Sequence, residues 1–117
     1  MIQKGGYMRN RIQRLNEIKQ KMAEKLPPLN EVLRGTFIEW HQVCARRNCK
    51  CHKSKKYRHG PFYRVSYFKN GRAHHIYVPL KDKNRIETWV DNYNKIWQGI
   101  EDISEINIKL IRIGTKK

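Results

Sequence analysis

From Tyr7 to Lys25, apolar residues recur at Met8, Ile12, Leu15, Ile18 and Met22, three or four positions apart, while Lys and Arg fill the intervening faces. That spacing gathers the apolar side chains into one stripe and predicts an amphipathic basic helix over 7–25. Pro27 and Pro28 stop it: neither supplies a backbone N–H, and each drives its predecessor out of the helical region.

The pattern then changes period. Thr36 to Val43 reads Thr-Phe-Ile-Glu-Trp-His-Gln-Val, rich in β-branched and aromatic residues, and predicts a strand. Cys44 to Gly60 is basic and poor in apolar residues, so it makes no core of its own and must be a loop held by something else. Phe62 to Phe68 and Arg72 to Val78 flank Asn70-Gly71, the strongest short-range signal for a β-hairpin. Alternation sends Tyr63, Val65 and Tyr67 to one face and Phe62, Arg64, Ser66 and Phe68 to the other. One face packs on a helix, and the other offers Arg and aromatic rings to solvent.

Pro79 blocks further pairing, and Asp82 or Asn84 can cap a helix running to about Ile111. Its apolar positions are Ile86, Trp89, Val90, Tyr93, Ile96, Trp97, Ile100, Ile103, Leu110 and Ile111, a near-heptad stripe interrupted at Asn107. The stripe is wider than a small sheet requires. Its surplus can take up the N-terminal helix or a second copy of the chain, making a homodimer. The expected fold is α+β, a single domain over 1–117: an N-terminal helix at 7–25, a three-stranded antiparallel sheet over 36–78 with a zinc-binding loop at 44–59, and a long C-terminal helix at 82–111.

Size and charge sharpen this picture. The chain has 117 residues, 26 Lys plus Arg against 10 Asp plus Glu, and a formal charge of +16. A domain this small buries only about two-thirds of its unfolded surface, so its core gains from a metal, a partner or a staple. Self-repulsion on this scale is relieved by a polyanion, nucleic acid first and an anionic membrane next. Met1 to Gly6 has no apolar stretch behind it and no run approaches membrane-spanning length, so a cytoplasmic protein without a membrane is expected.

Three cysteines leave one over in any disulfide scheme, and Cys49 and Cys51 are too close for a comfortable bridge. Their spacing, Cys44-x4-Cys49-x-Cys51, is followed by His52 and His59 in the same loop. Soft sulfur and borderline nitrogen donors favour tetrahedral zinc, and the positive loop helps hold thiolates ionised. The expected ligands are Cys44, Cys49, Cys51 and His59. His52 ranks below His59 because it adjoins Cys51, and His41 is a third candidate. The competing readings are small apolar cysteines or a redox pair. A redox pair needs one activated thiol beside a resolving partner, which three clustered cysteines and a histidine fit less well. A catalytic zinc needs an open position and a nearby general base. No acid lies between Glu39 and Asp82, and the chain has no nucleophile with an evident base and no phosphate loop, so no enzyme is expected.

The same acid-free stretch holds eleven Lys or Arg: Arg46, Arg47, Lys50, Lys53, Lys55, Lys56, Arg58, Arg64, Lys69, Arg72 and Lys81. All but Lys81 lie in the loop and hairpin and are the expected nucleic-acid contacts. Arg and Lys there neutralise phosphates, and exposed rings beside them stack on bases or enter a groove. Double-stranded DNA is favoured, with RNA or a ribonucleoprotein close behind. A structural assembly protein acting through its helices is the alternative.

Leu26-Pro27-Pro28-Leu29, the three cysteines, His59-Gly60-Pro61-Phe62, Tyr77-Val78-Pro79 and Ser104-Glu105-Ile106-Asn107 together resemble a family of small bacterial and archaeal proteins of unknown role. The resemblance covers 26–113. More loosely, Gly60 to Val90 is similar to the three-stranded sheet and helix with which tyrosine integrases grip DNA arms, through Phe62-Tyr63-Arg64-Val65, Asn70-Gly71-Arg72 and Trp89. That resemblance implies DNA binding without the integrase catalytic domain.

Overall fold

A computed structural model describes residues 2–115, with side chains over 10–114. The elements are α1 (Ile2–Glu24), β1 (Thr36–Gln42), β2 (His59–Lys69), β3 (Arg72–Val78) and α2 (Lys83–Thr115). This is the α+β order expected from the pattern: a helix, a three-stranded antiparallel sheet with the cysteine loop between its first two strands, and a long helix. Helix α1 starts at Ile2 rather than Tyr7, carrying Gly5 and Gly6 within it. The Met8 side chain, expected in its apolar stripe, lies outside those described. The chain divides into two compact units, one spanning Val32–Asp91 and one made of the residues up to Glu31 and from Asn92 onward.

In the first unit the strand order is β1-β2-β3, antiparallel throughout, with β2 in the centre. The β2–β3 turn closes with Asn70 at φ 53° and Gly71 at φ 75°, positive at both central residues as the tightest hairpins require. Strand β2 begins at His59, ahead of the expected Phe62, because Gly60 and Pro61 continue the extended chain and His59 pairs with Gln42. Register slips between Trp40 and Gln42, where Gly60 and Pro61 of β2 together oppose His41, a bulge in β2. Gly60 sits at φ 131°, and a Cβ there would lie 2.9 Å from the Trp40 carbonyl oxygen, so glycine is required where the chain enters β2.

The expected inward face holds. Tyr63 and Val65 of β2 join Val78 and the helical Val90 in a core flanked by Leu33, Phe37 and Ile86. Val65 is only 1% exposed, a burial worth about 1.5–3 kcal/mol. The Phe37 and Tyr63 rings tilt together at 5.7 Å, and the Leu33 N–H donates to the Trp89 carbonyl at 3.0 Å, tying the approach to β1 onto α2. Pro79 ends β3 as expected, and a short 3-10 turn, Leu80–Asp82, leads into α2.

In the helical unit, α2 runs to Thr115, past the expected Ile111. Asn92, Ile96, Ile106 and Ile113 are buried there, with Gly99, Ile103 and Leu110 half-buried between them, so one stripe recurs at alternating steps of four and three. Its partner is α1 with the segment that follows. Leu26 lies against Gly99 closely enough to leave no room for a Cβ there, Lys19 Nζ donates to Asn107 Oδ1 at 2.9 Å, and Asn92 Nδ2 donates to the Glu31 carbonyl at 2.9 Å. The last bond satisfies a buried amide that would otherwise be costly. Among the described residues no helix is long and apolar enough to cross a membrane.

Candidate metal centre and basic surface

The segment between β1 and β2 has few apolar residues to fold around, and two short 3-10 turns, Lys50–His52 and Lys55–Tyr57, give it what local order it has. Its cysteines are free thiols, and Cys51 is 2% exposed despite its basic, solvated neighbours. Cys44 lies two residues beyond the end of β1, Cys49 and Cys51 bracket the start of the first turn, and His59 is the first residue of β2. Both ends of the loop therefore bring a ligand to the same point.

The Sγ atoms of Cys44, Cys49 and Cys51 and a ring nitrogen of His59 all lie within 4.8 Å of one another. Cys51 Sγ is 3.7 Å from Cys44 Sγ, and Cys49 Sγ is 3.4 Å from His59 Nε2. Zinc–sulfur bonds of about 2.3 Å at tetrahedral angles set ligand atoms about 3.8 Å apart, so the cluster is close to the size of a zinc shell. Four such donors fit a metal ion and complete a tetrahedron, leaving no position for water.

Backbone groups tune the thiols. The Cys51 backbone, followed by the Cys51, His59 and Cys44 side chains, stabilises the Cys49 thiolate and lowers its pKa from 9.0 to about 6. Burial acts on Cys51 in the opposite direction and pushes its thiol up. The Cys44 N–H nevertheless donates to Cys51 Sγ at 3.3 Å, a bond that strengthens when the sulfur is ionised.

His52 and His41, the other candidate ligands, stand outside the cluster. His52 Nε2 lies 2.9 Å from the Cys44 carbonyl oxygen, which only accepts, so this nitrogen carries a proton and donates. The residue braces a ligand's backbone. His41 is exposed on β1 opposite the bulge, and its ring lies against Gly60.

Around this cluster the structure sets out the expected basic residues. Arg46, Arg47, Lys50, Lys53, Lys55, Lys56 and Arg58 are all exposed on the loop. Lys69 and Arg72 face each other across the β2–β3 turn, also exposed. Lys50 and Lys56 hold their ammonium groups over the Tyr57 ring at 5.8 and 5.0 Å. Among the described residues the two ion pairs, Lys83–Glu87 and Arg85–Asp82, engage none of the ten.

Arg64 differs from the rest. It lies half-buried on the outward face of β2, between Ile38 and Tyr77 in register, with its guanidinium 5.2 Å from the Trp40 ring centroid. Its Nε is buried without a hydrogen-bond partner. The face around it carries the Trp40–Phe62 ring pair at 5.4 Å, with Phe68 78% and Tyr77 63% exposed, so aromatic surface surrounds a cation on an open sheet. Trp40 and Tyr77 were not singled out by spacing alone. The register that brings them beside Arg64 depends on long-range pairing, and the signal for it was the Phe62-Tyr63-Arg64 alternation in the neighbouring strand.

A family model described as a domain of unknown function, DUF6788, matches residues 12–88, which include all three strands, the four clustered ligands and the first residues of α2. No curated protein and no solved structure matches the chain.

Proposed function

We propose that this chain, which belongs to the DUF6788 family, is a non-catalytic nucleic-acid-binding protein in which Cys44, Cys49, Cys51 and His59 hold a structural zinc ion. The observation that carries this reading is a closed four-donor set at the root of a loop that is basic and free of acids. Four protein ligands suit a structural ion, whereas catalysis keeps one position open. Bound zinc supplies the folding energy that the loop's sparse apolar content does not. Cys44 and His59 then fasten the end of β1 to the start of β2, and the basic side chains between them are displayed on a fixed scaffold.

Arg46, Arg47, Lys50, Lys53, Lys55, Lys56, Arg58, Lys69 and Arg72 neutralise phosphates, while Arg64, stacked on Trp40, faces the bases from the open sheet. The favoured ligand is double-stranded DNA, and the likeness of 60–90 to the arm-binding sheet of tyrosine integrases points the same way. Exposed Phe68 and Tyr77 favour a second reading, unpaired RNA, because rings stack on any splayed base.

The test pairs two measurements on the full chain: metal content by mass spectrometry, and binding of labelled duplex DNA and single-stranded RNA over a salt series. One zinc per chain and a steep loss of affinity with salt are expected. Absence of binding to either polymer at low salt overturns the nucleic-acid reading, and a metal-free chain that folds unchanged in chelator overturns the zinc.

A further inference from the structure

Beyond the sheet and its loop, α2 presents a second apolar stripe that stands exposed among the described residues of its own unit. Trp97, Ile100, Ile108 and Ile111 are 56, 46, 47 and 63% exposed. With each residue turning the helix by 100°, these four and Ser104 fall within about 80° of its circumference. The stripe that contains Asn92, Ile96, Gly99, Ile106 and Ile113 is centred about a third of a turn away, so the open stripe is a separate face.

The spacing of the open stripe is symmetric. Ile100 and Ile108 lie four residues either side of Ser104, and Trp97 and Ile111 lie seven residues either side. A two-fold axis at Ser104 therefore carries the stripe onto itself with the helix direction reversed. Ile100 meets Ile108 of the second copy, Trp97 meets Ile111, and the small Ser104 side chain sits where the two helices come closest. A surface of this kind is complementary to its own copy, as a two-fold interface demands.

We propose that two copies of the chain associate antiparallel through α2, centred on Ser104. Charge selects the occupant. A chain at +16 resists meeting itself, but from Asn92 to Thr115 three cations, Lys95, Lys109 and Arg112, are balanced by Glu101, Asp102 and Glu105. This is where two strongly positive molecules approach with least repulsion, and an apolar stripe with balanced charge gives a polyanion nothing to hold. The pairing rests on α2 alone and stands or falls independently of any nucleic-acid binding.

Sedimentation equilibrium of the full, metal-loaded chain tests it, and a dimer mass is expected. Ile100→Glu and Ile108→Glu each place two charges in the interface of a dimer and should weaken it roughly thirtyfold or more, with helix content by circular dichroism unchanged. Register is read independently: under mild oxidation Ser104→Cys forms a covalent dimer, while Trp97→Cys alone does not, since an antiparallel pair keeps those sites far apart. The unsubstituted chain is the control for its own cysteines. A monomer at the highest soluble concentration overturns the proposal. So does a dimer indifferent to both Glu substitutions, or one linked by Trp97→Cys and not by Ser104→Cys.

Discussion

Cys49 Sγ stands 3.4 Å from His59 Nε2, although ten residues separate them in the chain. A thiol from the middle of a loop thus reaches the first residue of a strand, and the loop closes on itself through its own side chains.

His59 and His52 can be separated by substitution. His59→Ala removes a ligand and should lower zinc occupancy in competition with a chelator, together with thermal stability. His52→Ala removes only the bond to the Cys44 carbonyl, so full occupancy is expected at a cost of about 1 kcal/mol, measured by urea unfolding of the metal-loaded protein.

In the metal-free chain the thiols should react in a fixed order. Cys49, lowered to about 6, is a thiolate at neutral pH and is alkylated first, with a rate that rises to half its maximum near that value; Cys51, raised by burial, reacts last. The sign for folding follows: the folded pKa lies below the unfolded 9.0, so bonds to the Cys49 thiolate favour the folded loop fully above 9.0 and are lost as pH falls through about 6. Peptide mapping after timed alkylation checks the order, and added zinc should protect all three.

The basic loop and the long helix should answer differently to charge removal. Lys55→Ala with Lys56→Ala is expected to weaken nucleic-acid binding for every sequence and to reduce the slope of log affinity against log salt by about two. Lys109→Ala on α2 should leave that slope unchanged. Fluorescence anisotropy over a salt series distinguishes the two variants.

Packing beneath the sheet predicts a sensitive glycine. A Cβ at Gly35 would meet Val65 Cγ1 at 2.7 Å and the Ser66 carbonyl oxygen at 2.9 Å, and neither the buried side chain nor the backbone can move freely. Gly35→Ala should destabilise the protein by about 1–3 kcal/mol. The midpoint of urea unfolding reads this directly, with Gly114→Ala, where a Cβ meets nothing within 4 Å, as the comparison.

Local rules carried much of the fold. Pro27-Pro28 marks the end of α1 and Asn70-Gly71 marks the hairpin because each acts through the backbone of its own neighbours. The start of α1 and the end of α2 ran further than apolar spacing suggested, since a helix continues through polar residues until something stops it. The bulge at Gly60-Pro61 and the early start of β2 at His59 were not legible, because both follow from pairing across the whole loop. The metal-ligand set was visible as chemistry, three cysteines and nearby histidines. Which histidine turns inward is decided by the Cys44 carbonyl that occupies His52, a contact no spacing rule encodes.

The cysteine loop also decides what becomes of the sheet when metal is scarce. β1 is an edge strand paired with β2 alone, Phe37 anchors its start against the core, and a metal on Cys44 and His59 would fasten its far end. Once that clasp opens, the end of β1 can peel away and carry Trp40 with it, and the central strand β2 turns a row of unpaired N–H and C=O groups outward beside Phe62. Such a border templates strand addition from other molecules. Loss of the proposed zinc would therefore appear as clumping of the chain.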